Sequence, residues 1–123
     1  MKYLFVSLLL SVLFVSCDPT TSVDFNVLNE SDKSILVVLA SDTSIIENGT
    51  EKTIYNEFLI GTSTKDYMKD LKALPFGSLL ILRDTGEVYN KDALDISRWD
   101  KSTPKEKSGL GKFTLRVVVG DFD

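Results

Sequence analysis

The side chains that could do chemistry in this chain are few and scattered. It contains no histidine and a single cysteine, Cys17. Without histidine there is no Ser-His-Asp or Cys-His constellation, and the commonest zinc ligand is missing. Carboxylates are plentiful, with 18 Asp and Glu against 14 Lys and Arg. Hydrolysis by a carboxylate pair therefore stays open, although their separation cannot be read from one chain. No glycine-rich phosphate loop of either common type occurs. Trp99, flanked by Arg98 and Asp100, offers a surface that could stack on a sugar or anchor a partner, with Tyr89 as its companion. The same indole could instead plug one end of a fold, which is its commoner use. Asp121 and Asp123, with Asp24, could supply oxygen ligands to calcium. They lack a loop with ligand spacing and read as a solvated terminus. Lys101, Lys105, Lys107 and Lys112 cluster in a stretch with Pro104, Gly109 and Gly111. That composition reads as a solvated loop rather than an anion site.

Cys17 has the most specific surroundings. Met1-Lys2 is a short basic start, Tyr3 to Val15 is almost wholly apolar, and Phe14-Val15-Ser16-Cys17 closes the run. A membrane-spanning helix needs about 20 apolar residues. This run is shorter, of signal-peptide length, and Asp18-Pro19 stops it at once. It is also apolar on every side, unlike the one-sided stripe of a core helix. The segment resembles the signal peptide and lipobox of a bacterial lipoprotein, with Phe14 standing where that family has Leu. The resemblance implies diacylglycerol on the Cys17 sulfur, cleavage before Cys17, and acylation of the new amino group. Two or more acyl chains give stable membrane anchoring. Over the rest of the chain there is a loose likeness to small Bacteroidota-type lipoproteins, which implies a lipid-anchored envelope protein, with the outer membrane favoured over the inner.

The expected organisation is a signal peptide over 1–16, the lipidated Cys17 and tether over 17–22, and one domain over 23–123. Asp18-Pro19-Thr20-Thr21-Ser22 has turn and linker chemistry. The domain, a little over 100 residues, fits one small core. Removing the signal peptide takes away one Lys, which leaves 13 basic against 18 acidic side chains, a net of −5. That balance argues against nucleic acid, whose recognition rests on clustered Lys and Arg. With Cys17 acylated no thiol remains for a disulfide, even in an oxidising compartment. The triplets Asn29-Glu30-Ser31 and Asn48-Gly49-Thr50 match the eukaryotic glycosylation signal, a match that is incidental in a bacterial lipoprotein.

The elements that must position these residues read mainly as strands. Val23 to Val27 alternates apolar and polar. Asn29 to Asp32 is turn chemistry leading to the continuous apolar run Ile35 to Ala40, and the two runs are expected to pair as a hairpin. Ile45-Ile46 and Lys52 to Tyr55 flank Asn48-Gly49, the preferred centre of a type I′ turn. Phe58 to Ile60 can continue the sheet. Ser63-Thr64 can cap one short helix, from about Lys65 to Ala73, which Pro75 stops. Leu79 to Leu82, the turn Asp84-Thr85-Gly86 and Val88-Tyr89 follow, then a long polar stretch over Asn90 to Lys112. In the last strand Phe113, Leu115, Val117 and Val119 share a face, with Val118 on the other. About seven short strands with frequent turns predict a mainly β fold, a small antiparallel β-sandwich with an immunoglobulin-like arrangement among its options.

Asp84-Thr85-Gly86 also resembles the active-site triplet of aspartic proteases, in which two Asp residues share a proton across a dimer. Arg83 stands where that family has an apolar residue, and Glu87 replaces the small residue that follows. Turn propensity alone explains the triplet. The reading is therefore a lipid-anchored, non-catalytic binding module for glycan or peptide, with Trp99 and Tyr89 as candidate contacts. The alternatives are a structural or assembly component of an envelope complex and, more remotely, an Asp84 protease. No cofactor or metal is expected.

Overall fold

The structure is a computed structural model describing residues 19–84, 86–105 and 109–123. Cys17 with its apolar leader, Thr85 of the Asp-Thr-Gly turn and Lys107 lie outside the described residues. The fold is mainly β: the described residues form eight strands in two four-stranded sheets and one short α-helix. The strands are β1 (Thr20–Glu30), β2 (Ile35–Leu39), β3 (Asp42–Ile46), β4 (Glu51–Ile60), β5 (Leu79–Arg83), β6 (Glu87–Val88), β7 (Trp99–Lys105) and β8 (Leu110–Val118). The helix, α1, spans Thr64–Asp70 between β4 and β5.

Sheet A has the order β4-β1-β8-β7 and sheet B the order β3-β2-β5-β6. All pairings are antiparallel except one: β1 and β8, near the two ends of the described chain, run parallel at the centre of sheet A. The immunoglobulin-like option finds no support in this order. In that fold the first strand pairs with the second; here β1 pairs with β4 and β8.

Period-2 alternation builds the core. Val23, Phe25 and Val27 of β1 and Phe113, Leu115 and Val117 of β8 turn inward, against Ile35 and Val37 of β2, Ile46 of β3 and Ile81 of β5. The parallel register sets Phe25 beside Phe113, and their rings stack at 5.1 Å between centroids. Phe76 and Trp99 meet Phe25 edge-on at 5.7 and 6.0 Å, the arrangement that aromatic quadrupoles favour. Helix α1 closes one side. Ser63 caps it by accepting a hydrogen bond from the Asp66 amide, and Met68 packs against Gly111, where a Cβ would stand 2.8 Å from the Met68 sulfur.

Three local expectations are corrected. The runs around β1 and β2 do not form a hairpin, because they belong to different sheets. The Asn48-Gly49 turn is not type I′, since only Gly49 takes a positive φ, of 79°, and that type needs two such residues. It links β3 of sheet B to β4 of sheet A, so it does not need the twist of a tight hairpin. The polar stretch over Asn90 to Lys112 is not all loop. Trp99–Lys105 forms edge strand β7, which is held by the backbone of β8. In addition, β1 begins at Thr20, so Thr20 to Ser22 are strand rather than tether, α1 ends at Asp70, and Val119 turns into a short 3₁₀ segment and is exposed.

One buried side chain joins the two sheets. Asn29, at the end of β1, is fully buried. Its amide donates to the carbonyls of Lys33 (2.7 Å) and Ile46 (2.8 Å). Its oxygen accepts from the Ser31 amide (3.0 Å) and hydroxyl (2.6 Å). Asn29 thus uses its full hydrogen-bonding capacity to tie sheet A to the β1–β2 turn and to β3.

Candidate functional site

The two sheets differ on their outer faces. On sheet A the middle of the outer face is polar, and its side chains engage one another. Lys112 of β8 meets Glu51 of β4 at 2.7 Å, and Asn26 donates to Glu51 and accepts from Thr53. The Lys112 contact is the main reason the Glu51 carboxyl titrates below its ordinary value, against a smaller opposing effect of burial.

The central strands of sheet B, β2 and β5, are apolar on both faces except for Arg83 at the end of β5. Register places Ile45 of β3, Leu36 of β2, Leu82 of β5 and Val88 of β6 in one row across all four strands. Val38 and Leu80 continue the surface in the next row, beside Thr43. Ile45, Leu80 and Val88 are 62%, 45% and 47% exposed, and Leu36, Val38 and Leu82 are half-buried. A sheet with one wet face alternates apolar and polar, whereas apolar residues at every position belong to a sheet covered on both faces. Seven positions, four in the first pleat row and three in the second, on strands about 4.8 Å apart make a face of about 220 Å², apolar but for Thr43. That approaches the few hundred Å² above which monomers rarely leave contiguous apolar surface exposed. A groove of about 330 Å³ opens along it between Ser34, Ile35, Leu36, Ile45, Leu82 and Asp84.

The rim of this face is mainly acidic. Asp42 opens β3 and Glu47 follows it, while Asp84 sits at the tip of the β5–β6 hairpin. The Glu47 carboxylate accepts from the Ser34 hydroxyl at 2.6 Å. Lys33 offsets part of this charge, 3.5 Å from Asp84.

Those of the residues singled out in the sequence that the structure describes lie elsewhere, except Asp84 and Gly86 of the β5–β6 turn. Trp99 is a core residue: it is 3% exposed, its ring meets Phe25 and Phe76, and its indole N–H donates to the Ala93 carbonyl at 3.0 Å. It has no free face for a sugar, so the expected aromatic groove does not form around it. Tyr89 is also buried, its ring edge-on to Phe122 at 5.9 Å. Burial is the main cause that pushes the Tyr89 phenol above its ordinary value, followed by the Asp121 charge. Tyr89 still borders an open polar groove of about 490 Å³ with Asp95, Ser97, Arg98, Arg116 and Asp121. Each arginine there already faces an acid, Arg98 with Asp95 at 3.9 Å and Arg116 with Glu30 at 3.7 Å.

Asp84 is exposed in its turn, with φ at 39°, and its carboxylate faces the Lys33 ammonium rather than a second carboxylate. A cation and open water are the reverse of a shared-proton dyad. Its neighbour Arg83 is buried, donating to Glu87 at 2.6 Å and to the Ser31 carbonyl at 2.9 Å, with its guanidinium 5.0 Å from the Phe122 ring centre. The three acids considered for calcium are separately employed. Asp24 accepts from Asn56, Asp121 from the Val118 amide, and Asp123 from Asn90. Among the described residues no group of three or more potential ligands is placed to hold a metal. Lys101 donates to the Met68 carbonyl and Lys112 pairs with Glu51, so these lysines do not gather into an anion site. Asn29, the first residue of a glycosylation-like triplet, is buried; Asn48, in the second, accepts from the Asp32 amide.

The apolar face was signalled in the sequence by Ile35–Ala40 and Leu79–Leu82, runs without polar alternation. Such runs do not reveal which of their two faces lacks cover. Among the described residues no helix is long and apolar enough to cross a membrane. No protein-family model, no curated protein and no solved structure matches this chain.

Proposed function

We propose that this chain is a non-catalytic, lipid-anchored docking module of the bacterial cell envelope, held through Cys17, with the outer membrane its favoured site. The observation that carries the docking role is the uncovered row Ile45–Leu36–Leu82–Val88 on sheet B. It retains the expected binding role but moves the surface from an aromatic groove to a sheet face, and narrows the ligand from glycan or peptide to a protein element. Two copies meeting face to face would bury about 450 Å², below the 1,200 Å² or more of stable interfaces. A partner element that packs on a sheet is a better fit. An amphipathic helix laid across four strands, about 19 Å, needs about 12 residues. The acidic rim of Asp42, Glu47 and Asp84 favours a helix flanked by Lys or Arg.

Two experiments test the two halves of the proposal. Cys17→Ala releases the chain from the membrane fraction; retention there overturns the anchor. A photoreactive benzoylphenylalanine at Ile45 or Val88, activated in living cells, gives one discrete adduct that is lost when Leu82→Glu is added. The same group at Asp100, on sheet A, gives none. Absence of an adduct at both sheet B positions overturns the docking role, and an adduct of twice the chain's own mass replaces the helix with a second copy.

A further inference from the structure

A second exposed apolar pair lies on sheet A, beside the point where the chain joins the fold. Phe58 and Ile60, on edge strand β4, are 60% and 68% exposed. They are two residues apart, so they share a face. Their register partners on β1 are Ser22 and Thr20, and the Gly61 amide donates to the Pro19 carbonyl at 2.7 Å. The pair therefore flanks the first described residues of the chain. Next to the pair the outer face of sheet A is polar, with Asn56 bonded to Ser22 and Asp24 and Lys112 paired with Glu51, and its other outward apolar residues, Leu28 and Val118, lie toward the opposite end. Two large apolar side chains at its N-terminal corner are out of keeping with that surface.

The length of chain outside the structure identifies what covers them. Thr20 is three residues from Cys17, a reach of at most about 10 Å when fully extended. The headgroup zone on each side of a bilayer is about 5–8 Å deep. Acyl chains on Cys17 would thus hold Thr20, and with it Ile60 and Phe58, at or within the membrane–water interface. Aromatic and aliphatic side chains partition into that zone.

We propose that Phe58 and Ile60 insert into the lipid interface and set the orientation of the domain, so that the β4 corner faces the bilayer. This inference rests on the lipid anchor at Cys17. The pair acts as an orienting contact rather than a second anchor, since the acyl chains already secure attachment.

The test uses the full acylated chain, purified and reconstituted into phosphatidylcholine vesicles whose acyl chains are brominated. Phe58→Trp places a reporter at the corner, and Val88→Trp places one on sheet B. The parent chain, with only the buried Trp99, sets the baseline. The expected result is at least twofold greater quenching, above baseline, for Phe58→Trp than for Val88→Trp. Ile60→Trp repeats the measurement should the first variant fail to fold. Mass spectrometry of the Cys17 peptide separates the two claims. Acylated Cys17 with equal quenching at positions 58, 60 and 88 overturns the orientation and leaves the anchor standing. An unmodified Cys17 removes the anchor and the orientation together.

Discussion

Asn29 gives the sharpest test of how the two sheets are held together. Asn29→Ala deletes the donors to Lys33 and Ile46 and the acceptor for Ser31. The Lys33 carbonyl keeps the Ser31 hydroxyl at 3.1 Å. The Ile46 carbonyl and the Ser31 amide lose a buried partner, at about 1–3 kcal/mol each. The expected loss is therefore about 4 kcal/mol, a large share of the 5–15 kcal/mol that stabilises a typical domain. Urea unfolding of a chain beginning at Asp18, followed by the emission of the single tryptophan, measures it directly. With an m-value of about 2 kcal/mol/M the midpoint falls by about 2 M. Asn29→Asp is the companion variant. It keeps the acceptor for Ser31 but turns a carboxylate oxygen toward two carbonyls, which disfavours the charged form and raises its pKa in the fold. Its deficit should therefore shrink as pH falls and the group protonates. A loss below about 1 kcal/mol for Asn29→Ala would refute the view of this residue as a staple.

Glu51 contributes to acid sensitivity. Its carboxyl titrates below the ordinary value of 4.5 in the fold, chiefly because Lys112 donates to it. Its stabilising effect is present above that ordinary value and is lost as pH falls through the depressed one. Glu51→Gln should lower stability near neutrality and flatten the stability–pH curve below about pH 4.5, where the parent loses the same contribution. Tyr67 acts at the other extreme: burial first, then the Glu57 charge, push its phenol up to about 12. Stability tied to the neutral phenol is complete below pH 10 and declines as pH rises through about 12. Tyr55 and Tyr89 also ionise above the ordinary value, so absorbance titration in the phenolate band should show several late-ionising tyrosines, and Tyr67→Phe should remove the one near pH 12. Gly109 has φ at 72°, and a Cβ there would collide with the Thr20 carbonyl oxygen. Gly109→Ala should lower stability by more than about 1–2 kcal/mol, read as a drop in urea midpoint, because left-handed strain adds to the clash.

The legible parts of the fold are those whose local pattern matches their environment. Phe113, Leu115 and Val117 alternate cleanly because β8 has one face in the core and one in water. The Ser63 cap and the nearby apolar spacing mark α1 for the same reason. β7 was hidden because Trp-Asp-Lys-Ser-Thr-Pro-Lys carries no apolar alternation. An edge strand needs only backbone bonds from one neighbour, and polar side chains protect its free side. The partner of β1 was equally hidden. A nearby turn suggests β2, yet β1 lies between β4 and β8, a choice made by distant contacts. Trp99 shows the same limit at the candidate site: flanking charges suggest exposure, but its side chain turns into the core while Asp100 stays outside. The apolar face of sheet B was visible only as runs lacking alternation, because a single chain records composition and not what covers it.

The place of β8 has a consequence for how the molecule is made. The last long strand is also a middle strand, and β1 finds its parallel partner only there. A chain still being synthesised or threaded through a channel therefore holds β1 with one ladder open and the Phe25–Phe113 stack unmade. Sheet A cannot close until Leu110–Val118 has emerged, and pairing strands so far apart in the chain is slow. The topology thus ties closure of sheet A to the arrival of Leu110–Val118, and until that strand is in place the inward side chains of β1 lack half of their core.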